Sequence, residues 1–210
     1  MKGTRIRTVE GERSVEDLAI GDILPTALGA PRPIQWIGYS RYRKSAPGKP
    51  WARDVRPVRI KRSALGANIP SADLYVTQTH ALFIDGMLVS ADRLINGVTI
   101  DLYSADEHDE LEFFHIKLES HDVIYAEGAP CETLLNVSEN ANNFASYLRL
   151  YGPPAASELA CAPISFRGRR GELTARLRNL MSPWREPEKL DIIRDRLAER
   201  ATSLSMESAE

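Results

Sequence analysis

The chain has 210 residues, 43% hydrophobic and 27% charged, an ordinary globular balance with room for one sizeable core or one core plus an appendage. A net charge of -2 provides no electrostatic footprint for a general nucleic-acid or membrane-surface binder, so neither is an expected partner. The two cysteines, Cys131 and Cys161, have no metal-ligand spacing and make no disulfide framework, and no apolar run reaches the ~18 residues of a membrane-spanning helix.

The chain opens Met-Lys-Gly-Thr-Arg-Ile, without the apolar stretch of a signal peptide. As given it reads as cytoplasmic; secretion or export would need a larger precursor. Residues 4–8 alternate as an edge strand, and Gly11 turns the chain. Residues 14–18 make one helical turn with Ser14 as N-cap, and 23–24 is a short strand stopped by Pro25. Residues 26–33 read as loop and 34–37 as a strand carrying Trp36. From 38 to 54 the chain is polar and basic and contains Pro47, Gly48 and Pro50, which predicts a long exposed loop. Its Arg41, Arg43, Lys44, Lys49 and Arg53, with Tyr39, Tyr42 and Trp51 among them, suit either an anionic partner or, more commonly, a solvated loop with a ring or two tucked onto the core. Residues 55–60 form a strand that Pro57 confines to an edge or an irregular pairing.

Residues 74–90 carry the strongest short hairpin signal. Apolar, β-prone runs at 74–76 and 81–84 lead through Asp85-Gly86 into 87–89. Between the first two runs sits Thr77-x-x-His80. A hydroxyl and an imidazole three apart at a sheet edge can converge on one polarised peptide bond, the imidazole donating a proton and the hydroxyl holding the carbonyl or the ring. On these residues alone the commoner role of His80 is a strand-edge histidine bonded to backbone. A helical turn at 90–94, a second hairpin signal at Asn96-Gly97 before 98–102, an acidic loop at 104–110 and a strand at 111–118 follow. Ser120-His121-Asp122 breaks that strand, and a last strand at 123–126 ends at Gly128-Ala-Pro130.

Near Asn136 the character changes. Before it, many short strands with turn signals predict a compact, mostly β domain at 1–136. After it, 137–210 reads as a helical extension, with helices at 138–147, 171–180 and 186–200, a linker at Gly152-Pro153-Pro154 and a frayed end from 203. In the last helix Leu190, Ile193 and Leu197 make one apolar stripe that must be covered, by the β domain or by a protein partner.

Three segments carry a family resemblance: Gly3-Thr-Arg-Ile with Val-Glu-Asp-Leu18 and Ile-Gly-Asp22; Val76-Thr-Gln-Thr-His80-Ala-Leu-Phe; and Ser120-His-Asp-Val-Ile-Tyr-Ala-Glu-Gly128. In order and spacing they resemble the Hint (hedgehog/intein) domain. Pro33-Ile-Gln-Trp-Ile-Gly38, Arg56-Pro-Val-Arg-Ile60, Ala64-Leu-Gly66 and Leu94-Ile-Asn-Gly97 resemble a bacterial Hint-like subgroup. The resemblance implies a Hint-like β fold whose chemistry is an acyl shift acting once on its own chain, with no cofactor. A cysteine or serine at the domain's first position attacks the preceding peptide bond, and the resulting ester is resolved by a second nucleophile, a sterol or water. It makes His80 the group that protonates the departing nitrogen, Thr77 a group that polarises the scissile peptide, and His121 one that assists resolution or holds the late strand. The upstream polypeptide is then the partner, in cis.

The family's cysteine lies four residues before the glycine matched by Gly3, a position that falls before Met1. Two explanations stay open: the nucleophile precedes Met1, or the protein is a catalytically inactive Hint fold that serves as an interaction module. The late strand runs into Ala-Pro-Cys-Glu-Thr133, not the His-Asn ending that full splicing needs. A trans-acting hydrolase would need a nucleophile motif that the sequence lacks. Cys131 and Cys161 read as small buried apolar residues. His108, His115 and His121, spaced seven and six apart, match no common zinc pattern.

Overall fold

The structure, a computed structural model, describes residues 1–46, 48–137, 141–153, 159–165 and 189–207. It is mostly β. The largest sheet has seven strands in the order β14-β9-β8-β13-β12-β1-β2. In chain order these are β1 (Arg5–Thr8), β2 (Gly11–Ser14), β8 (Ala81–Ile84), β9 (Met87–Ser90), β12 (Val123–Ala126), β13 (Ala129–Glu132) and β14 (Ile164–Ser165). A three-stranded sheet joins β6 (Val58–Ile60) to β7 (Leu74–Val76) and β10 (Ile100–Leu102). Two ribbons complete the set: β3 (Ile23–Leu24) with β4 (Arg32–Pro33), and β5 (Trp36–Arg43) with β11 (Glu110–Lys117). The α-helices among the described residues are α1 (Phe144–Tyr151) and α2 (Lys189–Glu207). None among the described residues is long and apolar enough to cross a membrane.

The central hairpin forms as its turn chemistry demands. Asp85 and Gly86 both take positive φ, 50° and 79°, the conformation whose twist matches the flanking strands. A second turn of this kind lies at Glu127 and Gly128, with φ of 48° and 73°. It reverses β12 into β13, where the sequence predicted an ending. Pro130 hid that strand, because proline argues against an interior strand. It stands opposite Tyr125, and Glu127 is fixed by accepting the Arg5 N–H at 2.6 Å.

Other boundaries also move. The strand expected at 34–37 runs on to Arg43, so the predicted loop loses its first part. Every residue of β5 pairs with β11, with Tyr39 on Phe114, Tyr42 on Phe113, and Arg41 and Arg43 on Glu110. Trp51, in what is left of that loop, is buried with its indole N–H on the carbonyls of Ala105 and His108. Arg32–Pro33 is a strand where loop was expected, and β6 starts only after Pro57. Asn96 makes no hairpin turn. Its Oδ1 accepts the N–H groups of Val98, Thr99 and Ile100, and β10 begins after it.

The predicted helix at 171–180, residues 138–140 and 186–188 of the other two, and Pro154 of the linker signal lie outside the described residues. The first helix occupies Phe144–Tyr151, later than expected. The second continues as helix past 203 to Glu207, with 208–210 of the expected frayed end outside the described residues, and the hydroxyls of Thr202, Ser203 and Ser205 bond the carbonyls four residues back. Its stripe of Leu190, Ile193 and Leu197 lies in the same core as Ile60, Leu74, Leu82 and Leu94 of the β domain.

Candidate active site

Thr77 to His80 is the joint between two sheets, since β7 belongs to the three-stranded sheet and β8 to the seven-stranded one. The joint is a tight turn in which the His80 N–H donates to the Thr77 carbonyl at 3.0 Å. The Gln78 amide donates to the carbonyls of Arg53 and Arg56, and the His80 carbonyl accepts the Ala91 N–H at 2.9 Å. The turn is therefore held from both sides, and Thr77 and His80 face the interior between the sheets.

There they line a small cavity of about 50 Å³ together with Met1, Thr4, Cys131 and Glu132. The start of the chain is seated in it. The Met1 amine donates to the Tyr75 carbonyl at 3.3 Å, and the Thr4 hydroxyl donates to the Met1 carbonyl at 2.7 Å. Past His80 a roomier cleft of about 310 Å³ is lined by Thr77, His80, His115, Glu132 and Asn136. His115, on β11, lines both spaces and a third of about 210 Å³ beside Trp36.

Burial sets the charge states here. It pushes the Met1 amine down to about 6, against the pull of the Glu16 carboxylate. It lowers His80 as well, with the Glu132 charge opposing and the nearby amine adding to the fall. It lowers His115 to about 4, helped by His80 and the amine. Both imidazoles are partly accessible, but along the cavities they line, so desolvation still dominates. Burial, seconded by Glu132, pushes the Cys131 thiol up to about 12, which makes it an inert buried thiol. Burial works to raise Glu132 too, but the neighbouring imidazoles of His121 and His80 and the Ala81 N–H at 2.7 Å outweigh it and hold the carboxyl below its usual value. The site is thus a neutral imidazole with an ionised carboxylate beside it.

His121 is placed differently. Its side chain has no exposed surface and lines neither of the two spaces that hold His80. Its Nε2 lies 3.5 Å from Glu132 Oε2, close enough for charge to act but long for a hydrogen bond, and its Nδ1 accepts the Cys161 N–H at 3.1 Å. The structure brings Thr77 and His80 together, and His121 reaches them only through Glu132. Glu132 and His115 are titratable residues of the cleft that sequence reasoning did not place there. The Glu127-Gly128 turn was the available signal for Glu132, while nothing in the sequence placed His115 beside the turn.

A family model for the Hint domain matches residues 1–138, which contain every residue of this cleft. The chain belongs to the Hint domain family. Two solved crystal structures, of the MchDnaB-1 intein and of a variant of it, are similar to it at 15% and 16% identity. They cover 61% and 62% of this chain and 95% and 96% of their own, with TM-scores of 0.40 and 0.41. No curated protein sequence matches. The Hint family match leaves α1, β14 and α2 outside it.

Proposed function

We propose that this Hint domain is an autoprocessing module that cleaves or rearranges a peptide bond at its N-terminal boundary, using a nucleophile that precedes Met1. The observation that carries this reading is the seating of Met1 in one cavity with Thr77, His80 and Glu132. Two further residues extend the chain by at most about 7 Å, so the bond before them stays within reach of the same groups.

The proton inventory supports a base-then-acid role for His80. Held neutral by burial, it takes the proton of a Cys thiol, and the adjacent Glu132 carboxylate stabilises the imidazolium. The thiolate attacks the preceding carbonyl and the Thr77 hydroxyl supports the oxyanion. The carbon–nitrogen bond then breaks, and His80 returns its proton to the leaving amine. The products are a thioester and a new N-terminus, with no net proton change and no cofactor. Water or a second nucleophile in the roomier cleft can resolve the thioester.

The test adds a short passenger and Cys-Phe before Met1 and follows passenger release with dithiothreitol. Time-dependent cleavage before the added cysteine, abolished by its change to alanine, is expected. Thr77→Val should slow it about tenfold, less than any change at His80, because it removes one polarising contact and no proton carrier. A folded extended protein that keeps its passenger would leave the inactive interaction module as the better account.

A further inference from the structure

Residues 159–165 lie outside the 1–138 family match and still pack against its site. β14 adds in parallel to β9, with Ile164 opposite Leu88, and the Leu88 N–H donates to the Pro163 carbonyl at 2.8 Å. Cys161, Ala162 and Ile164 settle on Ala81, Leu88 and Val123, one each from β8, β9 and β12. From this anchored segment the Cys161 N–H donates inward to His121 Nδ1 at 3.1 Å.

That bond decides where the His121 proton sits. An imidazole that accepts at Nδ1 carries its proton on Nε2. Nε2 points toward Glu132 Oε2, 3.5 Å away, and has no other partner among the described residues. The opposite tautomer would set two N–H groups against each other at Cys161 and a lone pair against the carboxylate at Glu132. The imidazolium would share the first clash. With no exposed surface on the side chain, water cannot relieve either conflict in place. Glu132 is the next link: its other oxygen accepts the N–H of Ala81, the residue after His80.

We infer that residues 159–165 are a strap that fixes His121 as its Nε2–H tautomer and thereby positions the Glu132 carboxylate beside His80. His121 and the Cys161 peptide are positioning groups, and the chain beyond the Hint match completes the site. The effect on rate rests on the autoprocessing reading; the tautomer is a property of the chain as it stands.

The experiment is nitrogen-15 NMR of the full-length chain at neutral pH, together with amide exchange. A neutral His121 protonated at Nε2 and a protected Cys161 amide are expected. An Nδ1–H tautomer, an imidazolium, or a freely exchanging Cys161 amide in the unmutated protein would overturn the strap without any variant being needed. Cys161→Pro removes the donor and should mix the tautomers, whereas Cys161→Ala keeps the N–H and should keep the spectrum. A folded Cys161→Pro protein with an unchanged spectrum counts against the strap. In the passenger-extended protein Cys161→Pro should slow release by about tenfold, the scale of losing an orienting partner, and Cys161→Ala should not. If no version releases the passenger, the autoprocessing reading falls while the spectra still decide the strap.

Discussion

Around His80 the fold brings two imidazoles, a carboxylate and an amine into the same enclosed space, each shifted or opposed by its burial. Along α2 the same β domain receives Leu190, Ile193 and Leu197, buried to 5%, 0% and 2% exposure, with Arg194 and Arg200 bonded at the edge to the carbonyls of Arg93 and Ser63. The first region holds groups that would be better solvated in the unfolded chain. The second gains from leaving water in the ordinary way, about 1.5–3 kcal/mol for each large aliphatic side chain. Burial along the α2 seam therefore adds to the stability of the core, while the cleft draws on it.

The largest expected effect separates the two at the cleft. In the passenger-extended protein His80→Ala should slow release by about 10²–10⁴-fold, the usual loss on removing a general acid–base group. Its urea midpoint should stay level or rise, since a buried, desolvated imidazole has gone. A parallel loss of stability would mean that His80 is a structural histidine after all.

The reciprocal change is Ile193→Ala on α2. Ile193 has no exposed surface, so truncation should cost about 2–4 kcal/mol in urea unfolding. Release measured well below the unfolding transition should keep its rate. A slowed rate in a folded protein would show that α2 shapes the cleft as well as covering the core.

Acid should break the cleft before the seam. His115 sits at about 4 against an ordinary 6.5, so the unfolded chain binds more protons than the folded one between those values. Its contribution is fully present above about 6.5 and is lost as pH falls to 4, a change of about 3 kcal/mol. The Met1 amine, at about 6 against 8.0, acts with the same sign between pH 8 and 6. Unfolding of His115→Gln against pH should lose the lower part of the slope. Placing residues before Met1 turns the amine into an amide and should remove the upper part. An unchanged profile in both would show that neither group is desolvated as the packing indicates.

The two regions were unequally legible in the sequence. The turn at 77–80 could be read because apolar, β-prone runs and Asp85-Gly86 fix a hairpin locally, and the α2 stripe because Leu190, Ile193 and Leu197 recur at helical spacing. Neither reading needed a distant partner. Glu132 stayed hidden because Pro130 spoke against the strand that delivers it, although Glu127-Gly128 made the turn. The outer half of β5 stayed hidden because the anion that neutralises Arg43, Glu110, is 67 positions away. His115 meets the turn only through the packing of one sheet on another, which no local pattern encodes, whereas the resemblance already implies that the start of the chain lies beside Thr77 and His80.

The smallest expected effect tests whether the two regions are joined. Arg196 on α2 pairs with Asp85 at 2.9 Å, and Asp85 is in the turn of the hairpin whose first strand, β8, follows His80. Both side chains are well exposed, 51% and 39%, so solvent screens the pair and Arg196→Ala should cost at most about 1 kcal/mol. That cost should fade with added salt, because exposed charges are screened over about 10 Å at 0.1 M. Asp85→Asn should match it, since asparagine keeps the positive φ that the turn requires. Release rates for both variants, measured where they are folded, should equal the parent's: the hairpin's own backbone bonds, four paired positions between β8 and β9, hold its register without the helix. A rate that followed the ion pair, and recovered on exchanging the two charges, would instead make α2 a lever on His80 and merge the two regions into one device.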